Sequence, residues 1–142
     1  MPKNKIVTEA HFDFYVLGII SKKKDHQLAW NLNQSGYFNF VKAPDLKLEF
    51  TGSQKMVISI FEDKSEFHCY SLLKNKPLTS NSSTNQFLLP EQSAFDYLLK
   101  LESSLDDFNQ DNVLSQLREI SIIDYLVKLK LEKLKLRENL LF

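Results

Sequence analysis

Three glycines and one cysteine in 142 residues exclude several kinds of chemistry at once. With so little glycine, a backbone loop that cradles phosphate is not expected. No P-loop, dinucleotide fingerprint or G-x-S-x-G elbow occurs. A single thiol, Cys69, cannot close an internal disulfide, which points to a reducing, cytoplasmic setting. No stretch approaches the roughly 18 apolar residues of a membrane helix. The opening "MPKNKIVTEAHF" lacks the apolar core of a secretory signal, so neither a membrane span nor a leader is expected. Charge of one sign is also missing: the formal net charge is zero, and each half of the chain lies within one charge of neutrality. That argues against a nucleic-acid partner, which typically calls for a strongly basic face. Nothing in the sequence asks for a cofactor.

What is present is apolar and aromatic. The hydrophobic fraction is 43%, with eleven Phe, five Tyr and one Trp. A chain of this length buries roughly 68% of its unfolded surface, enough for one stable domain over 1–142. "FDFYVLGIIS" (12–21) is rich in β-branched and aromatic residues and reads as a buried strand. Asp25 is a candidate N-cap and Gly36 a candidate C′ glycine for a short helix that puts Leu28 and Leu32 on one face. "YFNFV" (37–41) and "LKLEF" (46–50) alternate, "KMVISIF" (55–61) reads as one continuous strand, and "FHCYSLL" (67–73) as its hairpin partner. The polar stretch 75–85 reads as a mobile surface loop. Asp111 is placed to cap a helix in which Val113, Leu114, Leu117 and Ile120 share a face. Residues 122–131 alternate as a half-exposed strand, with Tyr125, Val127, Leu129 and Leu131 opposite Lys128 and Lys130. The expected class is therefore α+β: a mainly antiparallel sheet of about five to seven strands with two helices packed on it.

"LLPEQSAFDYLLKLE" (88–102) sets three polar-chain features, Pro90, Glu91 and Asp96, in an apolar context. Proline cannot donate to a ladder but suits the first turn of a helix, and an acid beside it suits that turn's positive end. "PEQSA" therefore reads as one helical turn joining a strand at 86–89 to a strand at 95–101. In the second strand Phe95, Tyr97, Leu99 and Leu101 share one face, and Asp96, Leu98 and Lys100 the other. Asp96 would face solvent or cap the turn, and Glu91 and Asp96 are expected to bond to local backbone amides. Leu89-Pro90-Glu91, three residues, then Phe95-Asp96-Tyr97 resembles the signature of the bacterial IPExxxVDY family, with Leu89 in place of Ile and Phe95 in place of Val. The opening strand, the "KKD" and Trp30 helix, and the ending "RENLLF" are similar to that family too. The resemblance implies no catalytic residues. It marks these six motif positions as of interest without assigning them a role.

Other constellations have plain structural readings. His11, His26 and His68 have no metal-ligand spacing, and adjacent His68 and Cys69 point to opposite faces of a strand. Cys69 reads as a core thiol. Lys128, Lys130, Lys133, Lys135 and Arg137 read as a solvated face that blunts a sheet edge, and Lys22, Lys23 and Lys24 as a turn. Trp30 lies off the apolar stripe of its helix: it either seals the flank or, if exposed, marks an interface.

Three functional classes follow. The favoured one is a non-enzymatic interaction or scaffold domain, binding a protein partner or itself through a strand edge. The alternative is a small-molecule-binding regulatory domain with a cleft near Pro90–Tyr97 for an apolar or anionic ligand. Third is an unrecognised enzyme using Glu91, Asp96 or His68.

Overall fold

The apolar stretches place the strands, and the helices cover what those strands leave bare. The computed structural model describes residues 14–50, 54–76, 79–80, 92–103 and 110–130. In chain order these form β1 (Phe14–Ile20), α1 (Asp25–Gln34), β2 (Val41–Lys42), β3 (Leu46–Phe50), β4 (Gln54–Ile58) and β5 (Ile60–Lys64). They continue with β6 (His68–Lys74), β7 (Thr79–Ser80), β8 (Tyr97–Ser103), α2 (Gln110–Arg118) and β9 (Tyr125–Leu129). One six-stranded sheet runs β9-β1-β8-β6-β5-β2, and a three-stranded sheet runs β3-β4-β7. Every pairing is antiparallel. The fold is α+β and mostly sheet. No helix among the described residues is long and apolar enough to cross a membrane.

The larger sheet is buried on both faces at its centre. On one face Leu17, Ile19, Leu72, Tyr97, Leu99 and Leu101 pack with Leu28, Ala29 and Leu32 of α1 and Val113 and Leu117 of α2. Each such aliphatic side chain contributes about 1.5–3 kcal/mol by leaving water. Phe38 and Phe40 join this layer, stacked at 5.1 Å. The opposite face carries Val16, Leu73, Leu98 and Leu129 with Ile58 and Ile60, so a second apolar layer forms where the smaller sheet meets the larger.

Several expectations are corrected. Asp25 is the first residue of α1, not its cap: the extended residue is Lys24, whose amide donates to Gln27 Oε1 at 3.1 Å. Gly36 does sit past the helix end with φ +88°, the left-handed conformation that glycine adopts without a Cβ penalty. Asp111 likewise lies inside α2. Of 37–41 only Val41 is in a strand; Phe38 and Phe40 are buried as the alternation implied, with Asn33 holding both the N–H and the C=O of Phe40. The stretch 55–61 is two strands broken at Ser59, whose buried hydroxyl donates to Asp25 Oδ2 at 2.6 Å and whose carbonyl accepts from Lys74 N. A continuous apolar run gave no sign that the chain would change sheets there.

Phe95 does not share the Tyr97 face. It precedes β8 and packs in the second layer, its ring so close to Gly18 that a Cβ there would lie 2.7 Å away. Lys100 is not solvent-facing but 4% exposed, its ammonium 4.5 Å from the Phe14 ring centre. Burial lowers its pKa, opposed by the charges of Glu102, Cys69 and Glu62. In β9 Leu126 is buried and Tyr125 exposed, so the expected apolar face is shifted by one residue at its start. His11, the strand at 86–89, Leu89, Pro90, Glu91 and the basic strip beyond Lys130 lie outside the described residues.

Candidate functional site

The turn before β8 is tied to the rest of the molecule by main-chain groups, and a cleft opens beside it. Phe95 N donates to Gln92 O, closing a tight turn over the residues expected to be helical. Asp96 N donates to Ile19 O at 2.9 Å, and Asp96 Oδ2 accepts from Ser21 N at 2.9 Å. Asp96 thus binds a backbone amide, as expected, but one 75 residues away rather than in its own turn. Tyr97 sends its hydroxyl to Lys23 O at 2.6 Å. Burial, and then the negative charges of Asp25 and Asp96, push this phenol up to about 12. Ser21 completes the tie, donating its hydroxyl to Ile122 O and accepting from Lys23 N.

Asn75 locks the turn from the other side. Expected in the loop 75–85, it is wholly buried, donates its amide N–H to Asp96 O, and sends Nδ2 to Gln92 O and Phe95 O. Thr79 and Ser80 of that same stretch form β7. Asp96 and Tyr97 therefore hold the β1–α1 loop in place from below, while Asn75 fixes the end of β6 beside it.

The result is a cavity of about 430 Å³ lined by Ser21, Phe95, Asp96 and Tyr97 together with Lys22, Lys23, Lys24, Lys74 and Lys76. None of these five lysines is ion-paired among the described residues. Three come from the β1–α1 loop and two flank the inward-pointing Asn75. Asp25 lies close by. Burial opposes its ionisation, but the Ser59 hydroxyl, the His26 amide and the Lys74 and His26 charges outweigh that and hold its carboxyl below the usual range. Ammonium groups are donors with no acceptor of their own, and a cluster of them concentrates positive potential in the cleft. Such a surface favours a ligand with several anionic oxygens.

A second polar cluster sits at the far end of β6. Ser65 Oγ lies 3.0 Å from His68 Nδ1, and His68 Nε2 lies 3.0 Å from Asp63 Oδ1. The His68 ring stacks on Tyr70 at 4.2 Å. A cavity of about 580 Å³ adjoins it, lined also by Glu66, Phe67, Cys69 and Glu102. The order serine, histidine, aspartate has the form of a nucleophile relay. Here, though, Ser65 Oγ already accepts from Phe67 N and His68 N, and Asp63 Oδ2 accepts from Asn39 N. Both lone pairs of the hydroxyl face amides, so the group closes a hairpin. Among the described residues no three His, Cys, Asp or Glu side chains are grouped to hold a metal.

Of the motif positions, Phe95, Asp96 and Tyr97 line the cleft, while Leu89, Pro90 and Glu91 lie outside the described residues. Sequence reasoning missed the lysines and Asn75. The run Lys22–Lys24 was visible as charge, and "KNK" at 74–76 was the second signal, but nothing local brings the two together. Comparison with protein-family models, curated proteins and solved structures finds no match.

Proposed function

We propose that the protein is a non-enzymatic binding domain whose cleft at Phe95–Tyr97 takes an anionic ligand. The observation that carries this is the convergence on one cavity of five lysines, none of them in a salt bridge among the described residues, with Lys74 also acting on the Asp25 carboxyl. Asp96 and Tyr97 serve it as braces: both bind main-chain groups of the loop that presents three of those lysines. Membership of the IPExxxVDY family, which rests on the resemblance of Leu89–Tyr97 to its signature, is part of the same proposal, with the motif shaping a binding loop. A reducing, cytoplasmic setting suits the lone thiol.

Calorimetric titration with pyrophosphate at low ionic strength tests the reading. Binding is expected, weakening as salt screens the lysines. The double change Lys22→Gln, Lys76→Gln should weaken it about tenfold, at roughly 0.5–1 kcal/mol per exposed charge. Lys47→Gln on β3, outside the cleft, should leave it unchanged, and Asp96→Asn should strengthen it. Absence of binding, or equal losses for the cleft and β3 variants, would refute the proposal.

A further inference from the structure

The exposed face of α1 continues the lysine cleft into a second hollow of different chemistry. Trp30, the chain's one tryptophan, is 61% exposed although it lies on a helix whose other side is core. It lines a cavity of about 430 Å³ with Lys23, His26, Gln27, Asn31 and Ile122. His26, Gln27, Trp30 and Asn31 share one face of α1, opposite the buried Leu28, Ala29 and Leu32, and Lys23 precedes the helix beside them. Trp30 and the half-buried Ile122 are the apolar lining residues. The polar ones keep capacity at their ends. Gln27 accepts from Lys24 N through Oε1, and Asn31 donates through Nδ2 to Gln27 O, so Gln27 Nε2 and Asn31 Oδ1 remain to meet the edge of a ligand. Lys23 lines both this hollow and the lysine cleft, so the two adjoin.

Resting on the anion-binding reading above, we infer that the ligand is a free nucleoside polyphosphate. Its phosphates lie among Lys22, Lys24, Lys74 and Lys76, its base stacks on Trp30, and Lys23 stands between. An inorganic anion would leave the tryptophan without a role. An apolar ligand would leave the lysines without one. An aromatic base carrying phosphates uses both, with Gln27, His26 and Asn31 at its hydrogen-bonding edge. A long single-stranded nucleic acid is disfavoured by the neutral net charge.

The lone tryptophan gives a direct readout. Titrations with ADP, GDP, pyrophosphate and adenosine are followed by Trp30 emission and by calorimetry. ADP or GDP is expected to quench the emission and to bind about tenfold tighter than pyrophosphate, the scale of one base stacked on an aromatic ring. Trp30→Ala should abolish that advantage and leave pyrophosphate binding unchanged, and Trp30→Phe should retain part of it. Because the side chain is exposed, both variants are expected to fold, which circular dichroism verifies. Equal affinity for nucleotides and pyrophosphate with unaltered emission would overturn this inference while leaving the anion cleft standing. Failure of every phosphate to bind would overturn both. An RNA oligonucleotide binding at least about tenfold tighter than ADP would also overturn it, since several stacked bases, not one, would then be recognised.

Discussion

At the Lys74–Tyr97 end of the β6–β8 pair, five lysines line one cavity; at the His68–Ser103 end of the same two strands, Glu66 and Glu102 line another. A chain of zero net charge has thus separated its charges along one strand pair. The ends differ further in how their polar groups are used. At the hairpin, Ser65, His68, Asp63 and Asn39 N form a closed set in which each partner meets another protein group. At the other end the main-chain groups are met by Asp96, Tyr97 and Asn75, but among the described residues the five ammonium groups form no salt bridge. A cluster whose groups satisfy one another is expected to stabilise, whereas a cluster of like charges left facing a cleft costs stability unless a ligand neutralises it. The contrast teaches that resemblance to a relay of catalytic residues is a weaker guide than the hydrogen bonds those residues still lack.

That contrast can be broken at several points. The largest effect is expected at the packing beneath the basic end. Phe95→Ala removes a buried ring seated on Gly18 and should cost about 3 kcal/mol in urea unfolding. A loss under about 1 kcal/mol would mean that the turn is not anchored through this ring.

Tyr97→Phe comes next. It leaves the Lys23 carbonyl without its donor, should cost about 1 kcal/mol, and should loosen pyrophosphate binding by freeing the loop. Its pH signature is specific. Below the ordinary phenol value of 10.0 both folded and unfolded chains keep the proton, and the stabilisation is complete. Above it the unfolded chain ionises first, and the stabilisation is lost progressively until the folded-state value of about 12 is passed. In Tyr97→Phe that part of the alkaline fall should disappear from denaturation curves measured across this range.

At the hairpin, Ser65→Ala should cost about 1 kcal/mol by releasing two amides, with pyrophosphate affinity unchanged. Loss of a measurable esterase activity in this variant would reverse the comparison, making the hairpin the working end. The smallest effect is expected from Asp25. Its lowered carboxyl lends stability that is full above the ordinary value of 3.8 and lost as the pH falls through the lower folded-state value. Asp25→Asn should lower the neutral-region melting temperature slightly, change the acid end little, and so flatten the acid limb of thermal melting curves.

Local pattern made much of the fold readable. Strands β1, β3, β6 and β8, the apolar faces of both helices and the glycine after α1 follow from period and from backbone preference. What escaped were features set by partners distant in sequence. Ser59 breaks a run that looks continuous because Asp25, 34 residues away, binds its hydroxyl. Lys100 is buried although its position alternates with an apolar face, because that side of the central sheet is also covered and Phe14 lies under its ammonium. Asn75 sits in a stretch whose composition suggests a loop, but its side chain has two carbonyls to meet inside. At the candidate site the proline-led motif and the "KKK" run were both visible, each with a plausible turn reading of its own.

The sequence alone determined the α+β class and the pairing of apolar with polar positions. Those properties depend on residues near one another in the chain, where the geometry of strand and helix sets which side chains share a face. Only the tertiary structure decided that Lys22–Lys24 and Lys74–Lys76 surround one cleft and that Trp30 stands beside it. Antiparallel pairing of β1, β8 and β6 brings those loops to the same end of the sheet, and no local propensity encodes which ends will meet.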